Sequence, residues 1–275
     1  MAKTVLITGA SSGVGAATVK AFGEAGWNVV ATMRRPSGPG DERTLVVALE
    51  VTNPDSIAAA VGAARERFGG IDAVVNNAGY GQYGIFEALT PESVERQLAV
   101  NLLGPMNVLR ELLPELRRRS GVVVNVSSGA GLYGLPGASA YCASKFALEG
   151  FTESIAHELS HLGVRVRLVV PHGGVAGTSF PGGDGVPASR ADIDEAYLPS
   201  QEAYLSTMLA APQPEPIAAE HVAATILEAA SDPGQQLRWL VGNDVRGFIE
   251  AWEHQPRDQW EATMRRAMGS ELPHS

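Results

Sequence analysis

Cysteine is all but absent: Cys142 is the single thiol in 275 residues. That excludes an internal disulfide and a metal cage built from cysteines, and a reducing, cytoplasmic compartment is expected. Basic charge is also scarce. The 21 lysines and arginines face 30 aspartates and glutamates, a net charge of −9. Such a surface repels phosphate backbones and anionic lipid, so neither nucleic acid nor membrane is an expected partner. No run approaches the ~20 apolar residues that span a bilayer. The N-terminus opens directly on a strand, so no signal peptide is expected. Internal repeats, low-complexity tracts and a linker between two cores are missing too. The hydrophobic content of 45% against 19% charged supplies ample material for one core.

What is present begins with a short apolar run at residues 3–8 (K-T-V-L-I-T), too brief for a helix and read as a buried parallel strand. G-A-S-S-G-V-G follows, Gly9 to Gly15, and then a helical pattern from Ala16. Strand, glycine turn and helix together make a pyrophosphate site: glycines permit a tight turn and close approach, and the helix N-terminus offers N–H groups and a positive dipole end. Residues 28–33 are a second strand. An acid at its end would bind the ribose 2′-hydroxyl of NAD; an arginine there accommodates the 2′-phosphate of NADP. Met33 stands in the acid's place and Arg34 and Arg35 follow. The pattern predicts NADP(H) over NAD(H), the other reading being a solvated arginine pair.

Further strands are predicted at residues 44–49, 71–75, 122–126, 164–170 and 237–241, alternating with helices. Asn53-Pro54 reads as a helix start. Asn76 to Gly79 (N-N-A-G) places small residues and amides at a strand's end. Tyr141 and Lys145 are four residues apart on a predicted helix and share a face. A neighbouring ammonium favours the phenolate, so the pair can act as a general acid/base. Ser128 ends the apolar strand 122–126, where a hydroxyl can meet a substrate oxygen.

These motifs, T-G-A-S-S-G-V-G, N-N-A-G, the Asn101 of V-N-L-L-G, Ser128 and Y-C-A-S-K, stand in one order and spacing. The chain resembles the short-chain dehydrogenase/reductase family over nearly its whole length, with A-T-M-R-R and W-E-x-x-M-R closest in look to hydroxysteroid-dehydrogenase-like members. The resemblance implies one doubly wound Rossmann domain, residues 1–275, with a seven-stranded parallel sheet and NAD(P)-dependent hydride transfer at a carbonyl or alcohol. It implies that Ser128 orients the carbonyl, Tyr141 gives or takes the proton, Lys145 lowers the tyrosine pKa and binds the nicotinamide ribose, and Asn101 supports a water relay. The cofactor is then expected on Gly9, Ser11, Ser12, Gly13, Val14, Gly15, Arg34, Arg35, Glu50, Val51, Asn77, Ala78, Gly79, Tyr141, Lys145 and Thr178. At P-H-G-G-V-A-G-T the chain departs from the family's P-G-x-V-x-T. His172 replaces a glycine, with one extra residue before Val175 and one more before Thr178. His172 is either at the cofactor edge or a loop histidine without a role. Homodimers or homotetramers that pair through the long helices are a further implication.

Four more features shape the reading. Residues 176–215 are loop-rich, as a substrate lid would be, with Phe180, Tyr197 and Tyr204 as its apolar inner face. Tyr80, Tyr83, Leu132, Tyr133 and Leu135 are the candidate pocket residues, and they suit an apolar ketone. A helix expected from Thr90 to Arg119 carries Leu98, Leu102, Leu109, Leu112 and Leu116 as its core stripe. Pro105 lacks an N–H and crowds the Asn101 carbonyl, so that carbonyl is expected to leave the ladder and the helix to bend at 101–105. His157-Glu158-Leu159-Ser160-His161 matches the zinc-protease pattern, but at ~100° per residue it faces away from Tyr141, and no metal is expected. The sequence thus predicts an NADP-dependent ketone reductase or alcohol dehydrogenase. The other reading is a nucleotide sensor that binds NADP without chemistry, against which Ser128, Tyr141 and Lys145 stand together.

Overall fold

Seven apolar runs become strands: β1 (Thr4–Thr8), β2 (Asn28–Met33), β3 (Thr44–Ala48), β4 (Ala73–Asn76), β5 (Val122–Val126), β6 (Arg165–His172) and β7 (Arg238–Gly242). All pair in parallel within one sheet, in the order β3-β2-β1-β4-β5-β6-β7. β1, β4 and β5 are buried at every residue, as strands covered on both faces must be. The computed structural model describes residues 2–38, 40–176, 194–210, 215–243 and 247–270. Chain order reverses between β1 and β4. In such open sheets ligands enter the crevice at the strands' carboxyl ends, at this switch point.

On one face lie α1 (Gly13–Glu24) and α7 (Ala219–Ser231), whose Phe22, Val222 and Ile226 pack on Val5, Val29 and Val124. The other face carries α2 (Pro54–Phe68), α4 (Gly104–Arg119) and α5 (Ser139–Ser160), with Ile57, Leu112 and Ile155 packed on Leu6, Val74 and Val123. α2 starts as its sequence suggests. Asn53 Oδ1 accepts from the N–H groups of Asp55 (3.0 Å) and Ser56 (3.2 Å), with Pro54 in the first turn. Among the described residues, no helix is long and apolar enough to cross a membrane.

The helix expected over 90–119 is in fact three pieces: α3 (Pro91–Leu98), a wide π-helical turn Ala99–Leu103, and α4. The Gly104 N–H bonds Ala99 O, five residues back, and Pro105 lies in the first turn of α4. The break falls where Pro105 removes a donor. Leu98 and Leu102 are therefore not core residues. They are half-buried, while Gln97 and Asn101 point inward. β6 also overshoots its expected end at Val170, because pairing with β7 continues to His172 opposite Gly242. His172 is thus a buried strand residue rather than a loop residue. Two further helices, α8 (Phe248–His254) and α9 (Arg257–Ala267), close the described chain. α6 (Leu198–Ala210) lies in the segment read as a lid.

Candidate active site

At the switch point the Thr8–Gly15 turn meets the Asn76–Gly79 loop. Thr8 Oγ1 accepts from the N–H groups of Asn77 and Ala78, both at 3.0 Å. Asn77 Nδ2 donates to Thr8 O (3.0 Å) and Gly9 O (3.2 Å). These bonds bring the two backbones together so closely that side chains are shut out. A Cβ on Gly9, whose φ is +68°, would lie 2.8 Å from Ala78 Cα. One on Gly15 would overlap Gly9 O and sit 2.7 Å from Asn77 Nδ2. Ser12 precedes α1 without a side-chain cap, and the first turn holds no acid. The amides of Gly13, Val14 and Gly15 and the positive helix end are left for an anion. This cradle fits a dinucleotide pyrophosphate.

The second cluster sits beyond β5. Ser128 Oγ accepts from the Ala130 N–H (3.2 Å), and its hydroxyl favours the ionised form of Tyr141. Tyr141 and Lys145 are buried on one face of α5, 5% and 7% exposed. α5 is registered on the sheet by a polar ladder. Asn76 Nδ2 donates to Asn125 Oδ1, and Asn125 Nδ2 donates to Thr152 Oγ1, both at 2.8 Å. Lys145 Nζ donates to Val126 O (2.9 Å) and lies 6.0 Å from the centroid of the Tyr141 ring.

The electrostatics correct the sequence reading of this pair. Lys145 does not draw the tyrosine down in the protein alone. Burial raises the Tyr141 hydroxyl above its ordinary value, and the Ser128 hydroxyl pulls in the opposite direction. Burial brings Lys145 down to about 8, with Glu149 opposing the fall. Tyr141 therefore carries its proton at neutral pH, as a proton donor must.

Asn101 is placed by the π-helical turn. Its Oδ1 accepts from the Tyr80 N–H (3.1 Å), and its Nδ2 donates to Tyr80 O (2.9 Å) and Ser144 Oγ (3.2 Å). One turn earlier, Gln97 Oε1 accepts from the Gln82 N–H (2.6 Å) and Nε2 donates to Tyr80 O (2.9 Å). Gln97, Ser144 and the Asn125 ladder are positioning residues that the sequence reading passed over. A signal existed for one: Gln97 stands four residues before Asn101, a buried amide one turn from another. Asn101→Ala removes three hydrogen bonds that join this loop to α5. It should cost about 2–4 kcal/mol of stability at ~1 kcal/mol per bond, read by denaturant unfolding.

The remaining predicted residues divide. Gly79 lies against Asn101, 3.2 Å from Oδ1 to the position of an added Cβ. Glu50 Oε1 accepts from the Thr52 hydroxyl (3.1 Å), and Val51 is buried beside Gly104. Met33 is buried at the end of β2, while Arg34, Arg35, Ser11 and Ser12 are exposed. Tyr83 stacks tilted on Tyr141, centroids 6.1 Å apart, and burial pushes its hydroxyl up to about 12. Leu135 joins that cluster and Tyr80 is buried. Leu132 instead packs on Leu168, Val170 and Ile249, and Tyr133 on Phe248 and Trp260. With Leu135 these two line a cavity of about 510 Å³ against α9, whose walls include Cys142 and Phe146 but neither Tyr141 nor Lys145. In the lid segment, Tyr197 donates to Glu87 Oε2 (2.7 Å). Thr178 and Phe180 lie outside the described residues. His157 on α5 and His161 just past its end are both exposed, and no group of three or more possible metal ligands occurs among the described residues.

A doubly wound parallel sheet with a glycine cradle at its switch point defines the dinucleotide-binding class of α/β proteins. Within that class the short chain dehydrogenase model matches residues 3–180, and the chain belongs to this family. It is 34% identical to Oxidoreductase BOA17 of Botryotinia fuckeliana, over 89% of this chain and 90% of that one. It is 36% identical to Estradiol 17-beta-dehydrogenase 1 of Rattus norvegicus, over 87% and 73%. A short-chain dehydrogenase structure from Streptomyces avermitilis superposes with a TM-score of 0.81 at 31% identity, covering 99% of this chain and 100% of that one. The protein is accordingly an NAD(P)-dependent oxidoreductase.

Proposed function

We propose that the protein is an NADP(H)-preferring ketone reductase, or the corresponding secondary-alcohol dehydrogenase, that works through Ser128, Tyr141 and Lys145. The observation that carries this is the burial of Tyr141 and Lys145 on one face of α5, with the Lys145 ammonium 6.0 Å from the Tyr141 ring centroid. The cofactor would rest on Gly9 and Ser11–Gly15, with Arg34 and Arg35 toward its 2′-phosphate. Glu50, Val51 and Asn77–Gly79 would line its adenine and ribose side, and Thr178 its nicotinamide. When bound, the nicotinamide supplies the hydride to the carbonyl carbon, or accepts it from the alcohol. Ser128 and Tyr141 hold the carbonyl oxygen between two hydroxyls. Tyr141 passes its proton to that oxygen as the alcohol forms and recovers it in the reverse reaction. Lys145 offers a positive charge to the ribose and to the developing phenolate.

Similarity to a protein named as an estradiol dehydrogenase, together with Tyr83 and Leu135 beside Tyr141, supports an apolar ketone. One catalytic domain with a lid over residues 176–215, a cytoplasmic location and a homodimer or homotetramer complete the reading. The exposed Phe146 on α5 and Leu103 before α4 suit pairing through the long helices. Loss of NADPH absorbance with a panel of apolar ketones tests the function. NADPH binding without turnover of any ketone or alcohol would overturn it.

Cofactor choice has its own test. Arg34→Ala should weaken NADP binding about tenfold to a hundredfold, the ~1.5–3 kcal/mol of a hydrogen bond to a charged group. NAD binding should hardly change. A wild type that binds NAD more tightly than NADP in a calorimetric titration contradicts the assignment.

A further inference from the structure

One turn beyond Lys145 on the same face of α5 lies Glu149, a carboxylate only 5% exposed. Its Oε2 accepts from Arg238 Nε on β7 at 2.9 Å. Arg238 in turn bridges to Glu153 (3.2 Å) and lies 5.9 Å from the Trp252 ring centroid. Glu149 Oε1 is different: it is buried and has no hydrogen-bond partner. So is Ser127 Oγ, the hydroxyl next to the Val126 carbonyl that holds Lys145. The two flank Gly131. A Cβ there would lie 3.0 Å from Ser127 Oγ, 3.1 Å from Glu149 Cγ and 3.2 Å from Lys145 O. The Ser127 hydroxyl, the Glu149 side-chain stem and the Lys145 backbone carbonyl thus converge on one glycine, where nothing bulkier fits.

Burying an acid costs stability unless its field is used or paired. Arg238 occupies only one of the two oxygens, so a tie between α5 and β7 accounts for half of this residue. The other oxygen is buried without a hydrogen-bond partner, on a residue one helical turn from Lys145. We infer that Glu149, fixed by Arg238, is a positioning residue that keeps Lys145 protonated inside the buried site. The inference rests on the proposed roles of Tyr141 and Lys145. A lysine stripped of water readily surrenders its proton, and a neutral amine could neither attract a ribose nor favour a phenolate. Among the described residues the surroundings offer little other charge. On α5 the neighbours are Tyr141, Cys142 and Glu149, with Glu153 beyond. β5 gives the Val126 carbonyl, the turn after it gives uncharged Ser128 to Gly131, and α3 and the π-helical turn give the amides of Gln97 and Asn101. Tyr83 stacks from the 80–84 loop, β6 brings the buried His172 against Gly129, and β7 brings Arg238, already shared between two acids.

The test is the titration of Lys145 itself, followed by competitive acetylation with acetic anhydride across pH and mass spectrometry of the Lys145 peptide. Purified protein suffices, with no substrate. Glu149→Gln keeps the shape, leaves Arg238 its second partner Glu153, and should lower the Lys145 midpoint by about one pH unit. Glu149→Asp keeps the charge one methylene further off and should lower it by less than half as much. In ketone reduction the alkaline limb of kcat/KM should move to lower pH by the same steps, because Lys145 loses its proton earlier. A purely structural tie would lower the melting temperature and leave both midpoints in place. Equal Lys145 midpoints in wild type and Glu149→Gln overturn the inference, even in an active enzyme. Should Glu149→Gln not fold, an unshifted midpoint in Glu149→Asp does so. Absence of turnover in the wild type would instead count against the proposed function, and the acetylation result would still decide the influence of Glu149 on Lys145.

Discussion

Tyr141→Phe is expected to abolish turnover while leaving dinucleotide affinity in place. The substitution keeps the ring, its tilted contact with Tyr83 and its burial on α5, and it removes one proton donor. A general acid typically contributes about 10²–10⁴-fold in rate, so kcat should fall by that order. The glycine cradle lies on another helix and another loop, so NADPH titrations by fluorescence should superpose with the wild type. Turnover within tenfold of wild type would remove Tyr141 from the reaction. A parallel loss of NADPH binding would mean that the hydroxyl serves structure rather than chemistry.

The second large effect is expected from a methyl group. Gly15→Ala directs a Cβ into Gly9 O and toward Asn77 Nδ2. Neither can recede freely. Gly9 O accepts from that same amide, and the amide also holds Thr8 O. Overpacking of this kind costs about 1–3 kcal/mol, or more where backbone must move. Each 1 kcal/mol lowers the melting temperature by roughly 2–4 °C in a chain of this size. Displacing the turn also misplaces the amides meant for pyrophosphate, so NADP and NAD binding should be lost together. Gly23→Ala is the control on the same helix, because nothing lies within 4 Å of its added Cβ. It should be neutral or stabilise by up to ~1 kcal/mol, the helical preference of alanine over glycine. If both variants bind dinucleotide like the wild type, the cradle is not where the cofactor rests.

The parts legible in the sequence were those governed by local chemistry. Val122–Val126 reads as a strand from its own residues and is one, because four valines interrupted only by Asn125, between Gly121 and Ser127, have few alternatives. Asn53-Pro54 fixed a helix start for the same reason. Tyr141 and Lys145 share a helix face because spacing alone dictates it. Readings that depended on distant partners went astray. β6 extends to His172 because β7 is there to pair with it. Leu132 and Tyr133 do line a cavity, but α8 and α9, more than 100 positions away, build its wall and set it apart from Tyr141 and Lys145. The direction in which Tyr141 shifts was misjudged, because proximity of an ammonium was weighed and loss of water was not. Glu149 stands one turn after Lys145, but its burial could not be foreseen, because its partner Arg238 is 89 residues distant.

The wide turn at Ala99–Leu103 has a consequence for how this chain can change length. A turn that closes on the fifth residue is one residue longer than its α-helical counterpart. It acts as a phase adjuster between two rods, α3 and α4, each fixed by its own neighbours. Deleting any single residue from 99 to 103 would bring the rods toward one continuous helix, still kinked at Pro105, which has no N–H to give. The price is rotational: with α4 held by the sheet, everything before the deletion turns by about 100°. Gln97 would swing out of reach of Tyr80 and Gln82. The chain would keep its helix and lose the clasp on its 80–82 loop, so an indel that looks conservative in this stretch would be among the most damaging the fold can receive.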